Sequence, residues 1–175
     1  EDGFEISVPA GEADNLARKL LGDPDVKPIG LGARDSLRLE AGLCLYGNDI
    51  TETTNPVEAS LIWAIAKRRR EQGGFPGAGI VQRQIAEGPR RKRVGILPES
   101  KAPARAHTEI ADEHGEAVGE ITSGGFGPSV GGPVAMGYVR ADLAKIGTSL
   151  QLMVRGKALP ARVAAMPFAP HRYHR

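Results

Sequence analysis

The sequence is poor in cysteine, in long apolar runs and in excess charge, and each absence narrows the classes of protein to which it can belong. The single cysteine among 175 residues rules out a disulfide within the chain, which suits a reducing compartment. No stretch reaches the roughly 18 consecutive apolar residues of a membrane-spanning helix, so we expect no membrane insertion. Lysine and arginine total 23 against 21 aspartates and glutamates, and this near balance does not support nucleic-acid binding.

Two further absences concern metal ions and the amino terminus. The four histidines lack metal-ligand spacing to one another or to Cys44, so the sequence predicts no metal site. Cys44 lies in an apolar run, residues 43–45, and is expected to be a buried thiol rather than a nucleophile. The chain begins at Glu1 without an initiator methionine or a targeting peptide, and we interpret it as a fragment or a processed product.

What the sequence does contain, 41% hydrophobic and 25% charged residues, is typical of a globular protein. In residues 4–8 apolar and polar residues alternate with the period of a half-buried strand. Residues 11–21 repeat apolar residues at helical spacing, and residues 34–40 are good helix formers. A strand followed by helices indicates an α+β arrangement.

Asn55 predicts the start of a further helix, because Pro56 suits the first helical position and Glu58 completes a capping box. The basic run at residues 67–70 is predicted to end that helix, where cations meet the negative end of the helix dipole. A basic surface for an acidic partner is an alternative interpretation of this run. Another short helix is predicted over residues 75–85.

From Arg90 onwards turn residues recur every few positions and separate short apolar segments. These segments are 94–97, 117–122, 135–139, 150–154 and 161–165. Short strands with frequent turns favour a small antiparallel β-barrel, in which Gly156-Lys157 is predicted to turn a hairpin.

Two segments in this second half are interpreted without any ligand. The glycine-rich stretch 123–127 lacks the lysine of a phosphate-binding loop and is predicted to be a turn of the barrel. The basic run 90–93 is interpreted as a solvated linker between two domains. The sequence thus predicts an α+β domain over residues 1–89, followed by a β-barrel domain over residues 90–175.

One long segment carries a family resemblance. Residues 32–50, GARDSLRLEAGLCLYGNDI, match without a gap the most recognisable block of the glycine-cleavage T-protein family, and four further blocks agree in order. These blocks are EDGFEI at 1–6, PVEA at 56–59, ITSGG at 121–125 with AMGYV at 135–139, and MPF at 166–168. The chain therefore resembles the carboxy-terminal part of a T-protein over nearly its whole length.

The resemblance implies three domains around a central folate site, of which residues 1–89 are the end of the folate-binding region. It also implies an aminomethyltransferase of the glycine cleavage system. The lipoylated H-protein would deliver an aminomethyl group, and tetrahydrofolate would accept the one-carbon unit as 5,10-methylene-tetrahydrofolate while ammonia is released. The expected compartment is the bacterial cytoplasm or the mitochondrial matrix.

Three residues match positions at which the family binds folate. Glu5 corresponds to the glutamate that holds the pterin, and its two oxygens suit a pair of N–H donors. Arg34 matches an arginine associated with ligand binding, and its guanidinium can hold a carboxylate such as the glutamyl end of folate. Tyr173 corresponds to a tyrosine of a tail expected to cover the pocket. Without the family, each has a structural interpretation, as a strand glutamate, a helix ion pair and a surface tyrosine.

No catalytic residue is assigned within the chain, because the resemblance places the catalytic aspartate of the family before Glu1. The fragment alone is therefore expected to be inactive. Two alternatives remain open at this point. One is the folate domain of a dimethylglycine or sarcosine dehydrogenase or of a sulfonium demethylase, and the other is a noncatalytic folate-binding module.

Overall fold

The computed structural model describes residues 3–172, and these form a helical first part followed by a β-barrel. The helices are α1 (Ala13–Leu21), α2 (Leu31–Glu40), α3 (Lys67–Gln72) and α4 (Ala78–Glu87). The strands are β1 (Arg91–Pro98), β2 (Glu109–Ala111), β3 (Ala117–Gly127), β4 (Gly132–Arg140), β5 (Ser149–Val154) and β6 (Lys157–Ala164). Short 3₁₀ turns lie at Ala10–Glu12, Ile62–Ala64 and Ala141–Leu143. None of the helices in this range is long and apolar enough to cross a membrane.

The six strands close into an antiparallel barrel in the order β1-β4-β3-β2-β5-β6, and β6 pairs with β1 to complete the ring. Its interior is filled by branched apolar side chains. The largest of them are Ile96, Ile110, Ile121, Val139, Leu150, Leu152 and Val163. The predicted α+β class with a terminal antiparallel barrel is confirmed, since the alternation of strand residues places these side chains on one face.

The hairpin predicted at Gly156 is also confirmed. Val154 pairs with Lys157, and the two residues between them, Arg155 and Gly156, have φ values of 51° and 75°. Two consecutive positive φ values are those of the tight hairpin turn whose twist matches that of the flanking strands. The helices predicted near residues 11–21, 34–40 and 75–85 correspond to α1, α2 and α4.

The strand predicted at residues 4–8 is wrong. The segment is irregular and exposed, with Phe4 97% accessible. An alternating pattern forms a strand only where a neighbouring strand supplies backbone partners, and no strand of residues 3–172 pairs with this segment.

The helix predicted from Asn55 is also wrong, although its cap forms. The side chain of Asn55 accepts a hydrogen bond from the Val57 amide at 2.8 Å, and the Glu58 carboxylate accepts one from the Asn55 amide at 2.9 Å. The chain leaves the helical path at Ser60, where φ is +59° and the hydroxyl donates to the carbonyl of Arg93. Contacts with the barrel therefore override the local helix signal.

The basic run 67–70 begins α3 instead of ending a helix. This prediction is wrong because the α-helix predicted from Asn55, which the run would have ended, does not form. The chain between the 3₁₀ turn and α3 is extended at Ile65, and the Ile65 carbonyl accepts a hydrogen bond from Arg70 Nε at 2.7 Å.

Two interpretations in the second half are wrong as well. The glycine-rich stretch 123–127 belongs to β3, and the absence of a Cβ lets Ala104 and Glu40 approach this strand at Gly124 and Gly127. A Cβ on Gly127 would lie 2.9 Å from the Glu40 carboxylate.

The run 90–93 is not a solvated linker, because β1 begins at Arg91 and Arg93 is only 4% accessible.

Candidate functional site

A groove of about 920 Å³ lies along α2 and the loop that follows it. It is lined by Ile29, Gly30, Leu31, Arg34, Leu37, Arg38, Ala41, Leu43, Cys44, Leu45 and Tyr46. Most of these residues are apolar, and two are cationic. Such a lining suits a flat apolar ligand that carries negative charge at one end.

The groove presents large apolar side chains to solvent. Leu31 is 81% accessible and Tyr46 is 66% accessible, and both Leu37 and Leu43 are exposed. A continuous set of exposed apolar side chains is uncommon on a protein surface and marks a binding or interaction site. The groove thus differs from the interior of the barrel, whose apolar side chains are buried.

Arg34 lines the groove from the exposed face of α2. It forms no ion pair with another residue in the described range, whereas Arg38 one turn later pairs with Asp35 at 2.6 Å and Asp49 at 2.7 Å. The guanidinium of Arg34 is therefore available for an anionic ligand. Arg38 is instead held by these two carboxylates of the protein.

Asp49 is the buried partner of Arg38. One of its oxygens accepts from Arg38 Nη1 at 2.7 Å, from the Leu45 amide at 2.8 Å and from the Ser123 hydroxyl at 2.9 Å. The other oxygen accepts from the hydroxyl of Thr122. A buried carboxylate needs such partners, because desolvation penalises any charge that is left unpaired.

The backbone of Asp49 adds a second connection to the barrel. Its carbonyl oxygen accepts a hydrogen bond from the Tyr138 hydroxyl on β4 at 2.8 Å. Burial raises the pKa of Tyr138 to about 12, so the phenol stays protonated and able to donate. The loop after α2 is thus fixed to β3 and β4 at once.

Glu40, the last residue of α2, is a second buried carboxylate. It accepts hydrogen bonds from the amides of Ser129 and Val130 at 2.6 and 3.0 Å and from the Ser129 hydroxyl at 2.9 Å. Its own carbonyl accepts from the amides of Phe168 and Ala169. The carboxyl end of α2 is therefore attached to the β3–β4 turn and to the carboxy-terminal segment.

Cys44 lines the groove and is half-buried. Burial raises the pKa of the Cys44 thiol, although the nearby Arg93 and Arg38 guanidinium groups lower it. A thiol with a raised pKa is a poor nucleophile at neutral pH. The geometry therefore gives this residue a packing role.

Of the other two predicted site residues, the structure describes Glu5. Glu5 is exposed, is not among the residues that line the groove, and forms no ion pair with a described residue. Tyr173 lies outside the described residues. Of the predicted site residues that the structure describes, Arg34 therefore lines the groove and Glu5 does not.

The sequence alone does not predict the roles of Asp49 and Glu40. No local pattern marks Asp49, because its barrel partners Thr122 and Ser123 lie 73 and 74 positions later in the chain. Glu40 lies in the segment 34–40 that the sequence predicts as a helix, and nothing in that pattern predicts the burial of its carboxylate. Within residues 3–172, no group of three or more histidine, cysteine, aspartate or glutamate side chains is arranged to hold a metal ion.

Comparison with known proteins gives two family matches. Residues 91–169 match the glycine cleavage T-protein C-terminal barrel domain, and residues 1–69 match the GCVT N-terminal domain. The two models together cover most of the chain and follow each other in the order of the fold. The first matches the closed barrel, and the second contains the groove.

Individual relatives agree with these matches. The chain is 53% identical to a mitochondrial aminomethyltransferase of Flaveria trinervia over all of its own length and 43% of that protein. It is 56% identical to the mitochondrial aminomethyltransferase of Gallus gallus over 99% of its length and 44% of that protein. The chain thus spans less than half the length of these curated relatives.

A solved structure is similar throughout. The crystal structure of the glycine cleavage system aminomethyltransferase T from Bartonella henselae superposes with a TM-score of 0.91 at 49% identity, over 96% of this chain and 46% of that one. Fold and groove define a two-part α+β protein that ends in a glycine-cleavage-type barrel domain. The chain belongs to the glycine-cleavage T-protein family.

Proposed function

We propose that this chain is the carboxy-terminal portion of an aminomethyltransferase of the glycine cleavage system. The complete protein transfers a one-carbon unit from the aminomethyl-lipoyl H-protein to tetrahydrofolate, with release of ammonia and formation of 5,10-methylene-tetrahydrofolate. Support comes from the similarity to named aminomethyltransferases along the whole chain. The observation that carries the proposal is the groove along α2, in which the matching block 32–50 supplies Arg34 beside apolar walls. Arg34 forms no ion pair with any residue of the described range 3–172.

Tetrahydrofolate fits the chemistry of this groove. Its flat rings suit the exposed apolar side chains of Leu31 and Tyr46, and its glutamyl carboxylates suit the guanidinium of Arg34. When bound, tetrahydrofolate supplies the amine that accepts the one-carbon unit. The residues of this chain bind and orient it, and none of them is assigned a catalytic role.

Glu5 and Tyr173 complete the proposed binding set. Glu5 is exposed and has no ion-pair partner among the described residues, which leaves both of its oxygens available for the N–H donors of a pterin. In the family, the tyrosine that corresponds to Tyr173 belongs to the tail that covers the pocket. The segment before it reaches α2 in this chain, since His171 hydrogen-bonds to the Ala41 carbonyl.

The proposed domains are residues 1–89 and 90–175. This boundary is supported by the short connection between the end of α4 at Glu87 and the start of β1 at Arg91. We propose the mitochondrial matrix or the bacterial cytoplasm as the compartment. The names of the relatives from Flaveria and Gallus include the mitochondrion.

The decisive experiment uses the protein expressed from the complete open reading frame that contains this sequence. We expect it to form 5,10-methylene-tetrahydrofolate and ammonia only when both tetrahydrofolate and aminomethylated H-protein are present. Omission of either substrate is the control. Ammonia release that does not depend on H-protein, or a preference for dimethylglycine as the one-carbon donor, would contradict the proposal.

A further inference from the structure

The wall of the groove that Arg38 and Leu45 form depends on the buried side chain of Asp49, which does not itself line the groove. Arg38 and Leu45 are both groove residues, and both donate to the same oxygen of Asp49, at 2.7 and 2.8 Å. The Asp49 side chain has no accessible surface, whereas that of Arg38 is 12% accessible. Asp49 therefore lies behind the wall and holds two of its residues from the inside.

The opposite side of Asp49 is attached to the barrel. Thr122 and Ser123 on β3 donate to its carboxylate, and Tyr138 on β4 donates to its carbonyl oxygen. These three residues are far from block 32–50 in sequence but belong to a closed, well-packed barrel. The carboxylate is thus the connection between a rigid support and the wall of the groove.

We propose that Asp49 is a positioning residue for the folate site, an inference that rests on the proposed function. Through the Leu45 amide, Asp49 fixes the loop of residues 43–48 at the distance from Arg38 on α2 that the ligand requires. Small displacements of positioning groups are costly in a binding site. Loss of the carboxylate leaves the groove present but wider and less well defined.

Glu40 provides a matched control. Like Asp49 it is a buried carboxylate that links the α2 region to the barrel, and both are no more than 2% accessible. Among the described residues, however, its side chain hydrogen-bonds only to Ser129 and Val130, neither of which lines the groove. Removing its charge therefore loosens the attachment to the barrel without releasing the groove wall.

The test compares Asp49→Asn, Glu40→Gln and Thr122→Val in the protein from the complete open reading frame. For Asp49→Asn we expect hydrogen exchange of the amides of residues 43–50 to rise about tenfold or more. We also expect the dissociation constant of tetrahydrofolate, measured by calorimetry, to rise about tenfold or more. Thr122→Val, which removes one donor at nearly constant volume, is expected to move both quantities in the same direction by less. Glu40→Gln is expected to change neither, although it lowers the melting temperature.

Other results overturn the proposal. If Asp49→Asn and Glu40→Gln weaken folate binding equally for equal losses of stability, the carboxylate acts only through global folding. Unchanged exchange of residues 43–50 in Asp49→Asn shows that the wall does not depend on it. If the unmodified protein does not bind tetrahydrofolate, the proposed function fails. The exchange comparison still decides in that case whether Asp49 holds the wall.

Discussion

The guanidinium of Arg93 on β1 donates to the carbonyl oxygen of Ala59 at 2.9 Å, although the two residues are 34 positions apart. The same side chain donates to the carbonyl of Gly42 at 3.1 Å and lies 3.0 Å from the sulfur of Met136. One arginine therefore connects the first strand of the barrel with two loops of the helical part. A charge in a buried position is stable only with such partners.

Replacement of Arg93 by methionine is expected to destabilise the chain by about 3 kcal/mol, because two buried carbonyl oxygens lose a charged donor. The measurement is the urea midpoint of unfolding. Arg155→Met, at the exposed hairpin tip, is the control and should change stability by less than about 0.5 kcal/mol. Equal effects of the two changes would mean that the Arg93 contacts do not support the fold.

Stability should fall in acid partly because of Glu58. Burial raises the pKa of this carboxyl, but the hydrogen bonds from Arg91 and the Asn55 amide, with the charge of Arg91, hold it below its ordinary value of 4.5. Its contribution to stability is present above that value and is lost as pH falls through the lower pKa of the folded state. Glu58→Gln should flatten this part of the curve of unfolding free energy against pH. An unchanged slope would contradict the prediction.

Tyr138 should contribute to a loss of stability at alkaline pH. Burial raises its pKa from 10.0 to about 12, so its contribution is complete below the ordinary value and is lost as pH rises through the folded value. The difference in tyrosinate absorbance between the unmodified chain and Tyr138→Phe should show a midpoint near 12. Tyr46→Phe, which changes an exposed tyrosine, is the control. A midpoint near 10 for the Tyr138 difference would show that the phenol is not buried.

Two substitutions of Arg34 should separate the contribution of its charge to folate binding from the contribution of its hydrogen-bond geometry. In the protein from the complete open reading frame, Arg34→Gln should weaken tetrahydrofolate binding about tenfold or more, because a charged hydrogen bond contributes about 1.5–3 kcal/mol. Arg34→Lys should lose less, since the charge remains without the fork of donors. The control is Arg83→Gln, an exposed arginine of α4 outside the groove. Calorimetry that shows equal affinity for all three variants would remove Arg34 from the site.

Glu5→Gln in the same protein should also weaken tetrahydrofolate binding, by about 1.5–3 kcal/mol, because one acceptor oxygen becomes a donor that faces a donor. Glu12→Gln, in the exposed 3₁₀ turn nearby, serves as the comparison. Binding constants from titration calorimetry provide the measurement. The assignment of Glu5 to the pterin fails if both variants bind as tightly as the unmodified protein.

The sequence predicts those helices and strands that are specified by residues close together in the chain. Apolar spacing is sufficient to predict α1, helix-forming residues are sufficient to predict α2, and alternation with glycine turns is sufficient to predict β5 and β6. The strand β2 was missed, since its three residues, Glu109–Ala111, are too few to show a period. Residues 4–8 show a strand pattern, but among the described residues they have no partner strand to pair with.

The features that fix the groove could not be predicted, because they depend on partners distant in the chain. The basic run 90–93 has the composition of a solvated linker. Arg93 is nevertheless buried, and it donates hydrogen bonds to the carbonyl oxygens of Gly42 and Ala59. Asn55 carries a complete capping signal, but the chain turns away at Ser60 to reach β1. Arg34 was found only through the family block. Its placement in the groove agrees with that expectation, and its role in binding stays a prediction.

Closure of the barrel affects how the chain behaves at high concentration. Each of the six strands has a neighbour on both sides, so the ring presents no open edge on which a second copy could add a strand. Self-association must therefore begin at exposed apolar side chains, which include Phe4, Leu31 and Trp63 in the helical part and Phe126 and Ile146 in the barrel part. Polar substitutions at these side chains, rather than at strand edges, are the changes that would keep a concentrated preparation monomeric.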